Sequence, residues 1–308
     1  MSIDNINNPI KTTNLFGHSS NLNEIIYLYQ NNNLPKATLF SGKKGIGKFT
    51  FVNHFLIYIF DKKNYDLNYQ AINTNSLIYK NILNETFQNI IYLGNGKKAS
   101  IDDIRKLKET ISKSTIDNNK RFIIIDEVEM FNVNSLNALL KIIEETTENN
   151  YFILIDNQQK KLLETISSRC IKKRIFLSNK ERIDIINKIS NKFSINQLIN
   201  INKSNLSPGA YLLYNNISQE NNISENMNYL DKIDLLLNLY KKKKDLNYIY
   251  LSIFYTEEYI SLISNNCADI FALNETKNQI IKNINNFARL NLNLSSVLTS
   301  IDSQFNHE

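Results

Sequence analysis

Ten residues constrain this chain more than any others: Ser41-Gly42-Lys43-Lys44-Gly45-Ile46-Gly47-Lys48-Phe49-Thr50. They follow the apolar run Ala37-Thr38-Leu39-Phe40 and precede Phe51-Val52-Asn53-His54-Phe55-Leu56-Ile57, so the pattern reads strand, glycine-rich loop, helix. With glycine at 42, 45 and 47, backbone N–H groups can turn inward around phosphate oxygens, where side chains would block them. Lys48 is placed to reach terminal phosphates. The pattern G-x-x-x-x-G-K-[ST] then calls for a hydroxyl to hold Mg²⁺. Phe49 stands at that position and Thr50 comes one step late. The loop is therefore expected to descend from a phosphate loop without being a working ATPase site. Binding of ATP or Mg²⁺ is left open, and no cofactor is required.

The most strongly apolar strand is Arg121-Phe122-Ile123-Ile124-Ile125, which runs without alternation, as a parallel strand covered on both faces does, and ends in Asp126-Glu127. Two carboxylates there suit a metal-binding aspartate and a water-activating glutamate beside a nucleotide. They also suit plain strand capping. Further strands are expected at Asn89–Leu93 and Tyr151–Ile155. Helices are expected from Ser20 or Asn21, from Ser100 with Asp103 as its cap partner, over Ser135–Glu145 and over Lys160–Ile166. Residues 61 to 85 read as a polar connector with one short helix. Strand and helix alternate between 35 and 175, which predicts a doubly wound α/β domain with its ligand at the carboxyl ends of the strands. Beyond Phe176 no buried strand is expected. Leu206-Ser207-Pro208-Gly209-Ala210 divides a small helical segment from a helical remainder with periodicity over Tyr229–Lys242, Tyr248–Ile263 and Thr276–Leu298. The expected domains are residues 1–176, 177–214 and 215–308.

At 308 residues, 42% hydrophobic and 21% charged, the chain has the make-up of a globular protein. No apolar run is long enough for a membrane helix, and the first residues lack the layout of a signal peptide, so a cytoplasmic location without membrane contact is expected. Cys170 and Cys267 stand too far apart in sequence for paired zinc-ligand spacing. The net charge of +6 permits nucleic-acid contact without demanding it, because the lysines are scattered. Arg169, in Ser168-Arg169-Cys170, could present a bidentate fork to a phosphate, including one bound by a neighbouring subunit, or form a surface ion pair.

These stretches together carry a resemblance. Leu34-Pro35, the glycine loop, Ile101-Asp102-Asp103-Ile104-Arg105-Lys106-Leu107, the strand ending Asp126-Glu127, Asn137-Ala138-Leu139-Leu140-Lys141-Ile142-Ile143-Glu144-Glu145 and Thr165-Ile166-Ser167-Ser168-Arg169-Cys170 follow one another over residues 14 to 178. The succession resembles the clamp-loader branch of AAA+ ATPases, most of all the delta-prime subunits of bacterial DNA polymerase III. The resemblance implies an AAA+ P-loop α/β domain, a small helical lid and a C-terminal all-α collar domain. It implies a hetero-oligomer with motor and delta-type subunits, acting on a sliding clamp and primed DNA. It also makes Arg169 an arginine finger for the adjacent subunit's ATP, and Asn157 the residue at a sensor position. Departures from the motor subunits are Phe49, Ala210 after the Ser-Pro-Gly turn, a cysteine-free 61–100 segment where a zinc module is common, and Thr146-Thr147 in place of prolines. The absence of those cysteines implies that no zinc is bound. An ATP-hydrolysing motor subunit and a free-standing P-loop NTPase stay open as alternatives.

Overall fold

The computed structural model describes residues 8–94, 100–112, 120–145, 149–264 and 269–305. Asn95-Gly96, Thr146-Thr147 and Cys267 lie outside the described residues. Two compact units divide the chain, one running to Ile195 and including Leu206–Leu212, the other made of Asn196–Asn205 and the residues from Leu213 onward.

In the first unit, α1 (Ser19–Gln30) leads to β1 (Ala37–Ser41), the glycine loop and α2 (Lys48–Phe60). A small antiparallel hairpin of β2 (Tyr65–Asp66) and β3 (Ala71–Ile72) precedes α3 (Leu77–Leu83) and β4 (Ile90–Leu93). Then come α4 (Ile101–Ser112), β5 (Arg121–Ile125), α5 (Val133–Glu144), β6 (Asn150–Asp156), α6 (Glu164–Ser167), β7 (Ile171–Arg174) and α7 (Asn179–Phe193). The main sheet is parallel in the order β4-β5-β6-β1-β7. Side chains alternate between its two faces. Phe122, Ile124, Tyr151 and Ile153 pack with Leu22 and Ile26 of α1 and Phe51 and Phe55 of α2. Ile123, Ile125, Phe152 and Leu154 pack with Ile104 and Leu107 of α4 and Leu136 and Leu139 of α5. Burying both faces is what makes these strands apolar throughout, since every residue meets a helix layer.

The expected doubly wound α/β domain is present, with differences in detail. The expected cap of α4 forms: the Ser100 N–H donates to Asp103 Oδ2 at 2.8 Å and the Asp103 N–H to Ser100 Oγ at 3.2 Å. The hairpin β2–β3 falls in the segment read as a connector. The helix expected over Lys160–Ile166 shrinks to α6, because the chain after β6 runs irregularly through Gln158 at φ 57°. β7 was not expected at all. It is an edge strand whose Ile171, Lys172 and Arg174 are exposed, so it lacks the apolar signature of its neighbours.

One buried group in this unit gives stability a pH dependence. His54, on α2, is fully buried, donates from Nε2 to the Thr12 carbonyl at 3.1 Å and accepts at Nδ1 from the Tyr65 hydroxyl at 2.9 Å. Burial pushes its pKa from 6.5 down to about 4. Between those values the unfolded chain holds a proton that the folded chain does not, so the contribution is complete above pH 6.5 and lost on acidification. His54→Gln keeps a donor and an acceptor without the titration. Denaturant unfolding should show the wild type losing about 2–3 kcal/mol relative to this variant between pH 7 and pH 4.5. Parallel pH curves would contradict this account of His54.

The helix α8 (Pro208–Glu220) begins in the first unit, with Pro208 as its first residue, where a missing N–H costs nothing. Ser207-Pro208-Gly209, expected to divide two helical segments, is a helix start. In the second unit α9 (Tyr229–Lys243), α10 (Leu246–Ile263), α11 (Ile270–Leu290) and α12 (Leu294–Ser303) pack around Ile233, Leu236, Leu237, Leu251, Ile280, Ile284, Phe287 and Ile301. The single helix expected over Thr276–Leu298 is two. Asn291 takes a left-handed conformation at φ 53°, ending α11, and the Asn293 side chain accepts the Ser295 N–H to open α12. The apolar period runs across the break because Phe287 and Val297 face the same core. Among the described residues no helix is long and apolar enough to cross a membrane.

Candidate functional site

The sheet order brings the carboxyl ends of β1, β6 and β5 side by side, and the loop after β1 meets the acids after the other two. Gly42 donates its N–H to the Asp156 carbonyl at 3.1 Å, and a Cβ built on it would lie 2.2 Å from the Ile175 carbonyl oxygen, so only glycine fits. The Ser41 hydroxyl donates to Asp156 Oδ2 at 2.6 Å. At the tip, Gly45 at φ 81° accepts the Gly209 N–H at 2.8 Å, and a Cβ there would come within 2.5 Å of Ser207 Oγ. The first turn of α8 is thereby pressed against the loop backbone. On the other side His18 donates from Nε2 to the Ile46 carbonyl at 2.6 Å. Burial lowers its pKa, against the upward pull of the Ile46 carbonyl and Glu181.

Lys48 is buried and its ammonium turns onto its own loop, donating to the carbonyls of Gly42 at 2.7 Å and Lys43 at 2.9 Å. Burial lowers its pKa to about 8, against the pull of Asp126, Glu129 and Asp156. Phe49 is buried in the core and stacks on Tyr92 of β4, with ring centroids 5.6 Å apart. Tyr92 donates its hydroxyl to Asn53 Oδ1 at 2.9 Å. Thr50 faces elsewhere, lining a cavity of about 100 Å³ with Thr12, Phe16, Gly47, Ile185 and Leu212. That is below the roughly 300–1,000 Å³ of ordinary small-molecule sites.

Asp126 directly follows β5, and burial, with the charges of Glu127 and Glu129, raises its pKa to about 6, while the Glu127 N–H, donating to Oδ1 at 2.9 Å, and Lys48 lower it. Glu127 sits in a left-handed conformation at φ 50° and its carboxylate pairs with Lys44 Nζ at 2.6 Å, tying the glycine loop to the end of β5. Asn157 follows β6, and its main-chain N–H, with that of Gln159, pulls down the pKa of Glu129 against a larger upward push from burial. Glu129 is the member of this acidic group that sequence reasoning missed. Its signal was the spacing Asp126-Glu127-Val128-Glu129, a third acid after an apolar step.

Arg169 is not part of this assembly. It follows α6, between buried Ile166 and buried Cys170, and its half-exposed side chain pairs through Nε with Glu144 and donates from Nη1 to the Thr165 carbonyl at 3.1 Å. β1 and β7 run parallel with Thr38 opposite Ile171 and Ser41 opposite Arg174. The glycine loop leaves the far end of β1, so Arg169 lies beyond the opposite end of β7, a strand about 10 Å long.

The family of DNA polymerase III, delta subunit, matches residues 17–179. The chain belongs to this family. The match places it in the clamp-loader branch of DNA polymerase III subunits. Among its relatives, the DNA polymerase III subunit gamma/tau of Mycoplasma genitalium is 30% identical over 200 residues, covering 64% of this chain and 32% of the relative. The delta′ subunit of Buchnera aphidicola from Schizaphis graminum is 29% identical over 194 residues, covering 60% of this chain and 56% of that one. The match thus spans about a third and just over half of these relatives' lengths. Among solved structures, a DNA polymerase III gamma subunit-related protein of Thermotoga maritima aligns over 92% of this chain and 97% of its own at 15% identity, with a TM-score of 0.45.

Proposed function

We propose that this delta-family chain works as a delta-prime-type clamp-loader subunit that does not hydrolyse ATP. It braces ATP-hydrolysing neighbours and supplies Arg169 to one of their nucleotides while a sliding clamp is loaded onto primed DNA. The observation that carries this reading is the separation of Arg169 from the chain's own loop, at opposite ends of the β1–β7 pair. An arginine finger can stabilise transition-state charge only at a phosphate it touches, so a finger here has to serve another subunit's phosphate. The loop itself fits a retired role. Phe49 puts an aromatic ring into the core where a metal-binding hydroxyl belongs, and Lys48 and Gly45 are engaged with backbone partners. In this reading the chain needs no ATP, Mg²⁺ or zinc of its own, and its helical unit joins the collar of the complex.

The pair Asp126 and Glu127 at the end of β5 favours a second reading, a motor subunit that hydrolyses ATP itself. Steady-state turnover by the purified chain with ATP and Mg²⁺ separates the two. The delta-prime reading expects background turnover, unchanged by Lys48→Ala. Turnover that Lys48→Ala abolishes would establish the motor reading instead.

A further inference from the structure

The two acids that close α5 go to different partners. Glu145 pairs with Lys108 of α4 at 3.0 Å, while Glu144 reaches across to Nε of Arg169. The carboxyl end of a helix carries partial negative charge and disfavours acids, so what Glu144 gains comes from the arginine. The backbone beneath Arg169 is also fixed: its N–H donates to the Ile166 carbonyl at 3.1 Å, the Ser168 N–H to the Glu164 carbonyl at 2.9 Å, and Ile166 is fully buried. The side chain is held at Nε by Glu144 and at Nη1 by the Thr165 carbonyl. A guanidinium has five N–H donors, and a phosphate is gripped end-on by the Nη pair. Holding Nε sets the plane of the fork and leaves Nη2 and the second Nη1 hydrogen for a ligand.

We propose that Glu144 is a positioning residue for Arg169, fixing the guanidinium before assembly so that its Nη end meets the neighbouring subunit's phosphate already oriented. The proposal rests on the reading of Arg169 as a finger in trans. A long arginine side chain otherwise loses much rotational freedom on engaging a phosphate. Pre-ordering moves that loss out of the catalytic step, and small misplacements of a reacting group are costly in rate. Glu144 acts through Arg169 and touches no nucleotide.

The test uses the reconstituted clamp-loader complex, isolated by gel filtration, with Glu144→Ala, Glu144→Gln or Arg169→Ala in this chain. Glu144→Ala should assemble and melt as the wild type does and should lower kcat for ATP by about fivefold, the most that a surface pair of this kind can hold in place, with KM nearly unchanged. Glu144→Gln retains an oxygen that accepts the Nε–H and should restore kcat to within about twofold. Wild-type kcat in Glu144→Ala, beside a collapse in Arg169→Ala, would overturn the positioning role and leave the finger standing. A rise in kcat would make Glu144 a restraint, and equal losses in the Ala and Gln variants would assign the effect to charge; either overturns the proposal. Unchanged turnover in Arg169→Ala would remove the finger, and the role of Glu144 with it.

Discussion

Arg169→Ala should leave the clamp-loader complex assembled and lower its ATP turnover by at least about tenfold, toward the roughly 10³–10⁵ that arginine fingers contribute. The size follows from where the charge acts. A guanidinium brought to the edge of a bound nucleotide replaces solvent at the transferring phosphate, in a site where a fixed charge is worth far more than in water. Loss of the Arg169–Glu144 pair itself should cost little, since both groups are substantially exposed and such surface pairs contribute about 0–1 kcal/mol. Thermal unfolding of this chain should therefore barely move while turnover of the complex falls. Arg169→Lys should recover only a minor part, because an ammonium cannot reproduce the fork. Steady-state ATPase of matched complexes checks the point, and wild-type turnover in Arg169→Ala would refute it.

The second large effect is on stability. Phe49→Ala should destabilise the α/β unit by about 3–5 kcal/mol, the usual cost of removing a buried phenyl ring, seen as a fall in Tm of roughly 6–20 °C. Phe49 is 7% exposed and stacks on Tyr92, so truncation leaves a cavity beside β4 and an unsupported ring. Phe49→Thr is the sharper variant. It restores the hydroxyl that the loop pattern calls for, yet it should destabilise nearly as much and produce no ATP turnover. The loop tip would still be bonded to Gly209, and Lys48 to the Gly42 and Lys43 carbonyls. Differential scanning calorimetry and an ATPase assay on the purified variant test both halves. A stable Phe49→Thr protein that hydrolyses ATP would show that one side chain alone had silenced the site.

Much of the α/β unit was legible because its strands are buried on both faces and its loop is spelled in glycines. Phe122 to Ile125 read as a covered strand, and the glycines mark where the loop needs them: Gly42 and Gly45 where other groups approach closely, Gly47 where the backbone takes φ 93°. What escaped was held by partners distant in sequence. β7 is an edge strand of lysine and arginine that exists because β1 offers it hydrogen bonds. Asn291 and Asn293 break a continuous apolar period through their own conformations and caps, which periodicity does not register. The side-chain position of Phe49 followed from the pattern only as a missing hydroxyl; that its ring is a core element became visible with Tyr92. Glu144 lay inside a quoted motif, but its bond to Arg169 crosses 25 residues of sequence and leaves no local trace.

In the role we propose, this chain contributes to catalysis at a phosphate it does not itself bind. A structure of the reconstituted complex with a non-hydrolysable ATP analogue tests that most directly. The Nη atoms of Arg169 should lie within about 3 Å of the neighbouring subunit's terminal phosphate, with Lys48 still bonded to Gly42 and Lys43. Nucleotide phosphates against Lys48, with Arg169 paired to Glu144 and facing solvent, would contradict it.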